Sequence, residues 1–173
     1  MLIRRERPTD VDQVTSLVAA AFAEQASLGD EPMEVGLLHA LRSDPGWIPE
    51  LSLVAIDPGT DAILGVVVCS RGRVGDRPAV GLAPLAVDPD RQSAGVGSAL
   101  MHTVLGAADA LGEPLVALLG EPEYYARFGF RPASEVEISA PDPEWGTYFQ
   151  VRKLAAYRSL TGTFHYAAPF DEL

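Results

Sequence analysis

The chain has 173 residues, 47% hydrophobic and 21% charged, with a formal net charge of -11. That length sets a single domain over residues 1–173 with a sizeable core, and the composition excludes a disordered chain. So acidic a balance makes nucleic acid a poor partner and favours a cationic or neutral one.

Leu2 to Arg5 reads as a short strand, and Arg4-Arg5-Glu6-Arg7 leads into no apolar signal core. Thr9-Asp10-Val11-Asp12 has the form of a capping box, and Val11, Val14, Leu17, Val18, Ala21 and Phe22 make a helical stripe behind it. Glu24 to Glu34 is polar and acidic and predicts a loop; Val35, Leu37, Leu38 and Leu41 predict a second helix, ended by Asp44-Pro45-Gly46. Leu51–Ile56 and Ile63–Ser70 flank the turn sequence Asp57-Pro58-Gly59-Thr60 and predict a hairpin. A second turn is expected over Arg71–Arg77, then a strand from Ala79 to Val87. Pro84 cannot donate to a ladder, so a bulge or splay is expected there.

After Pro89 come Gly95 and Gly97, and then a long helix with Val96, Ala99, Leu100, Thr103, Val104, Ala107 and Leu111 on one face, ended by Gly112. Leu115–Leu119 predicts a strand and Glu121–Phe128 a short helix closed by Gly129. Glu135–Ser139 and Tyr148–Leu154 predict two late strands around the loop Pro141–Gly146. No apolar stretch approaches the roughly 20 residues of a membrane span. One cysteine, Cys69, leaves no internal disulfide and suits a reducing compartment, so a soluble cytoplasmic protein is expected.

A strand, a glycine loop and a helix in succession leave the free N–H groups of the first helical turn aimed at a ligand, a good arrangement for phosphate oxygens. A Walker loop needs a lysine before the Ser98 position, and none is near. A dinucleotide fingerprint needs a small residue where Leu100 stands. Gln92-x-x-Gly95-x-Gly97 instead resembles the acetyl-coenzyme A loop of the GNAT-superfamily N-acetyltransferases, the Q/R-x-x-G-x-G/A pattern. Downstream, Tyr125 with Gly129-Phe130 is similar to the family's Y-x-x-x-G-F. The stretch from Gly95 to Leu100, the run Glu123-Tyr124-Tyr125-Ala126-Arg127-Phe128-Gly129-Phe130-Arg131-Pro132-Ala133 and the ending Pro169-Phe170-Asp171-Glu172-Leu173 resemble the YhbS-like branch of that superfamily.

The resemblance implies an α/β (α+β) fold with a mixed, centrally splayed sheet flanked by helices, binding acetyl-CoA in the splay. A doubly wound parallel sheet is the alternative, disfavoured by the consecutive strands from Leu51 to Val87. The resemblance further implies that backbone groups of Leu85-Ala86-Val87 pair with the pantetheine arm. Amides of Gln92, Ser93, Ala94, Gly95, Val96, Gly97 and Ser98 would take the pyrophosphate, with Arg91 as the nearby cation. The family's tyrosine protonates the leaving thiolate, a role suited to a phenol. Tyr125 matches that position, and its neighbour Tyr124 is the alternative.

Many relatives carry a glutamate on the splayed strand, but Gly81 to Val87 holds no ionisable residue. Glu31, Glu34, His39 and His165 are the candidates from elsewhere for a base, and an amine that arrives neutral needs none. No H-E-x-x-H or cysteine pair suggests a metal. The expected reaction is acetyl transfer from acetyl-CoA to a primary amine on a small molecule or peptide, with Glu24, Asp30, Glu31 and Glu34 attracting the cation. The rivals are a non-catalytic acyl-CoA sensor and a structural subunit. A homodimer is compatible with this reading, although no obvious sticky strand specifies one.

Overall fold

The structure, a computed structural model, describes residues 1–27 and 29–172. In chain order it contains β1 (Leu2–Arg5), α1 (Val11–Phe22), α2 (Met33–Ser43), β2 (Trp47–Ile56), β3 (Ile63–Val74) and β4 (Arg77–Val87). Then come α3 (Val96–Ala110), β5 (Leu115–Leu119), α4 (Pro122–Tyr125), β6 (Arg131–Pro132), β7 (Ile138–Ser139), β8 (Phe149–Lys153) and β9 (Gly162–His165). The sheet runs β1-β2-β3-β4-β5-β8-β6, with β9 pairing the end of β3 and β7 pairing β9. The expected hairpin is antiparallel, with Ser52 opposite Val68 and Ala55 opposite Gly65.

The central feature is the junction of β4 and β5. They are the parallel neighbours in the middle of the sheet, yet they pair only at Val80–Val116 and Gly81–Ala117. Beyond Gly81, β4 continues on β3 and β5 continues on β8, so the two strands part. Pro84 contributes as expected. The β3–β4 register shifts between the pairs Val67–Leu85 and Cys69–Leu82, which places a bulge at Ala83-Pro84.

Helix α3 covers one face of the sheet through Leu100, Met101, Val104 and Leu105, packed on Leu53, Val67 and Leu82. Helices α1 and α2 cover the other face, packing Val14, Val18, Leu38 and Leu41 on Val54, Val66 and Val68. Two ion pairs fasten the first elements. Arg4 donates to both oxygens of the buried Asp10 carboxylate, at 2.5 and 3.0 Å, and Arg42 reaches Glu6 at 2.6 Å while the Ser52 hydroxyl donates to the other Glu6 oxygen.

Several sequence expectations are corrected. The α1 entry is not capped by Thr9: a 3₁₀ turn over Pro8–Asp10 precedes it, and the Asp10 carboxylate accepts from the Arg7 N–H at 2.7 Å. Strand β3 runs on to Val74, which shrinks the expected second turn to Gly75-Asp76 because β9 supplies an extra partner at Arg73 and Val74. The buried stripe of α3 includes Met101, Leu105 and Ala108, whereas Thr103 and Leu111 are exposed. The helix lies across the sheet rotated from the face that periodicity alone favours. Glu135–Ser139 is a 3₁₀ turn over Ala133–Val136 followed by the two-residue β7, which pairs with β9.

Candidate active site

Two adjoining cavities open where β4 and β5 part. One, of about 760 Å³, is bounded by the Leu82–Leu85 stretch of β4, by Phe22, Glu34 and Leu37 of the first two helices, and by the chain from His165 to Asp171. The other, of about 1000 Å³, reaches from Leu119 past Tyr124 to Gln92 and is more open. Their common wall includes Phe22, Leu119, Trp145 and Tyr125.

The loop expected to hold phosphate is exposed from Arg91 to Gly95, and it enters α3 through Gly95 in the left-handed conformation at φ 86°. A side chain at that φ is strained, so glycine makes the entry. Val96, Gly97 and Ser98 form the first turn of a 15-residue helix, whose N–H groups have no partner within the helix. Of the stretch Leu85-Ala86-Val87, Leu85 lines the cavity of about 760 Å³ beside Pro84, and Ala86 is buried against the α1–α2 side.

Tyr124 and Tyr125 diverge, as helix neighbours must. The Tyr124 hydroxyl stands over the first turn of α3: a Cβ on Gly97 would lie 2.9 Å from it. Tyr124 lines only the cavity on the loop side, and the Arg127 guanidinium lies 4.8 Å from its ring centre. Tyr125 packs edge-on against Tyr124 and Phe130 and faces both cavities. Burial, and then the neighbouring Tyr124, push its phenol up to about 12, so it keeps its proton throughout the neutral range. Burial also raises Tyr124, and Arg127 opposes that shift.

The candidate bases separate cleanly. Glu34, in the first turn of α2, and His165, at the end of β9, line the cavity. Glu31 and His39 are exposed and lie outside its walls, as do Glu24 and Asp30. The acidic patch expected on the α1–α2 loop is therefore reduced to Glu34. Other carboxylates replace it: Asp171 in the same cavity, and Glu121 and Glu144 in the adjoining one. Among the described residues no group of histidine, cysteine, aspartate or glutamate is disposed to hold a metal ion.

The acetyltransferase (GNAT) domain family matches residues 49–132. The N-acetyltransferase YhbS of Escherichia coli K12 is 34% identical over 99% of both chains, and E. coli YjhQ, also named an N-acetyltransferase, is 35% identical over 79% of each. The chain belongs to the GNAT family of acetyltransferases. Among solved structures, E. coli YhbS in complex with CoA superposes with a TM-score of 0.87 at 32% identity, covering 98% of this chain and 91% of that one. A GNAT acetyltransferase from Brucella melitensis in complex with acetyl-CoA gives 0.79 at 30% identity, covering 98% and 97%. The splayed mixed sheet is thus the GNAT fold.

Within this GNAT chain, sequence reasoning missed the walls of the cleft. Trp145, Tyr166 and Phe170 line it, yet they lie in irregular segments that carry no periodicity. Arg127, the cation that stacks on Tyr124, is another residue that sequence reasoning missed. Its signal was available, because it follows Tyr124 by three residues on one turn of helix.

Proposed function

We propose that the chain is a single acetyl-CoA-dependent N-acetyltransferase domain, transferring acetyl to a primary amine by direct attack in a ternary complex. The observation that carries this reading is Tyr125 on the wall common to both cavities at the parting of β4 and β5. CoA and acetyl-CoA in the E. coli YhbS and Brucella neighbours support the same co-substrate here.

In this arrangement the pyrophosphate rests on the amides from Gln92 to Ser98, with Arg91 and Arg127 as cations nearby. The pantetheine arm follows the β5-facing edge of β4 from Leu85 to Val87, where among the described residues no strand pairs past Gly81. The neutral amine attacks the thioester carbonyl, the new C–N bond forms and the C–S bond breaks. The departing sulfur takes the Tyr125 proton, and the amine nitrogen gives up its surplus proton to water or to one of the ionisable groups in the cavity wall. The raised phenol carries its proton throughout the neutral range, as a proton donor must. The acceptor is a small molecule or peptide amine, the cytoplasm is the expected compartment, and buried Cys69 as a free thiol fits it.

The absence of any ionisable residue from Ala79 to Val87 of β4 favours a second reading, a non-catalytic acyl-CoA sensor. Calorimetric titration with acetyl-CoA and thiol release with a panel of amines decide between them. Binding with turnover that falls about 10²-fold or more in Tyr125→Phe, at unchanged cofactor affinity, supports the enzyme. Binding without thiol release supports the sensor, and no binding at millimolar acetyl-CoA removes both.

A further inference from the structure

We propose that the acceptor is a small primary amine on an apolar, ring-sized body, held between Phe22, Trp145, Tyr166 and Phe170. This rests on the acetyltransferase reading above. The cavity of about 760 Å³ on the far side of Tyr125 is much larger than an amino group requires, and most of its wall is carbon. Its floor is aromatic. The Tyr166 ring lies 2.6 Å from where a Cβ on Gly81 would be, so it fills the base of the splay just where β4 and β5 separate. Phe170 stacks on Tyr166 at 4.5 Å between ring centres and 28° between planes, and Trp145 approaches at 6.4 Å.

These rings come from separate segments: Trp145 from the turn before β8, Tyr166 from just past β9, and Phe170 from the 3₁₀ turn Ala168–Glu172. Burial alone raises the Tyr166 phenol, so no charge or hydrogen bond offsets its apolar surroundings. Against the aromatic part of the wall, the hydroxyls of a sugar or the inner amines of a polyamine would lose water that ring carbons cannot replace. The charged groups sit elsewhere in the wall. Glu34 and Asp171 are carried by α2 and by the tail turn packed on it, and they suit one ammonium group. The Arg73 guanidinium, the one arginine of the wall, donates to the Gly75 carbonyl at 2.7 Å.

The test compares 2-phenylethylamine with ethylamine, spermidine and glucosamine by thiol release from acetyl-CoA. Burying the phenyl group is expected to raise kcat/KM by about 10- to 100-fold over ethylamine. Trp145→Ala and the milder Phe170→Leu should shrink that ratio toward one. Equal or higher kcat/KM for ethylamine, spermidine or glucosamine overturns the proposal. If acetyl-CoA binds but no amine is acetylated, the transfer reading fails, and the cavity is judged by calorimetry on the CoA-saturated protein. There, at least about tenfold tighter binding of 2-phenylethylamine than of ethylamine upholds the proposal, and equal binding overturns it.

Discussion

Replacing Gly120 by alanine tests whether the position of the Tyr125 phenol matters to turnover. Gly120 follows β5, and its backbone is pinned: its N–H donates to the Tyr148 carbonyl at 3.0 Å, and its own carbonyl accepts from the Gln150 amide at 2.8 Å. An added Cβ would collide with Tyr125 Cε2 and lie 3.1 Å from Cδ2. Carbon atoms settle about 3.5–4.0 Å apart, so the ring must retreat by roughly 1 Å. Tyr124 and Phe130 close two sides of it, with ring centres at 4.9 and 5.8 Å, so the retreat is toward the cavities. Overpacking of this kind costs about 1–3 kcal/mol, a melting point lower by roughly 2–12 °C in a chain of this size. Displacing a reacting group by about 1 Å costs on the order of 10²-fold in rate, or about 2.7 kcal/mol of barrier. Thiol release at saturating substrates should therefore fall about 10²-fold, while the calorimetric Kd for acetyl-CoA changes less than about threefold. A folded Gly120→Ala protein that turns over within about threefold of the wild type would refute the assignment of Tyr125 as the proton donor.

Gly95→Val should raise the Kd for acetyl-CoA at least about tenfold. Its φ of 86° strains any branched residue by about 1–3 kcal/mol, and no atom lies within 4 Å to account for the loss by collision. Glu34→Gln should raise the KM for the amine more at low salt than at high, and Glu31→Gln, outside the cleft, should leave it alone; equal effects would remove Glu34 as the attracting charge. Stability should fall as pH rises from 10 to 12. The folded Tyr125 phenol, raised to about 12, still holds a proton that the unfolded chain has lost, so its contribution is whole below pH 10 and vanishes through that window. Denaturant titrations should show a loss of up to about 1.4 kcal/mol per pH unit from this residue, absent in Tyr125→Phe.

The amino-acid order alone was enough to read the hairpin from Leu51 to Ser70, the bulge at Pro84, the glycine entry to α3 and the tyrosine four residues before Gly129. Each of these is written in a short run of chain. A proline without its N–H, a glycine at positive φ and an alternating strand act on their immediate neighbours, whatever lies across the fold. The cleft itself is not local. Which face of α3 is buried depended on how the helix lies across the sheet, so Met101 and Leu105 went in and Thr103 stayed out. The parting of β4 and β5 sets Tyr124 and Tyr125 apart, sending one ring over Gly97 and leaving the other between two cavities. Trp145, Tyr166 and Phe170 meet only because β9 joins the edge of β3 and carries the tail back over Gly81. Segments with no period of their own acquire a place through long-range packing, and there the burial of aromatic surface outweighs any local preference.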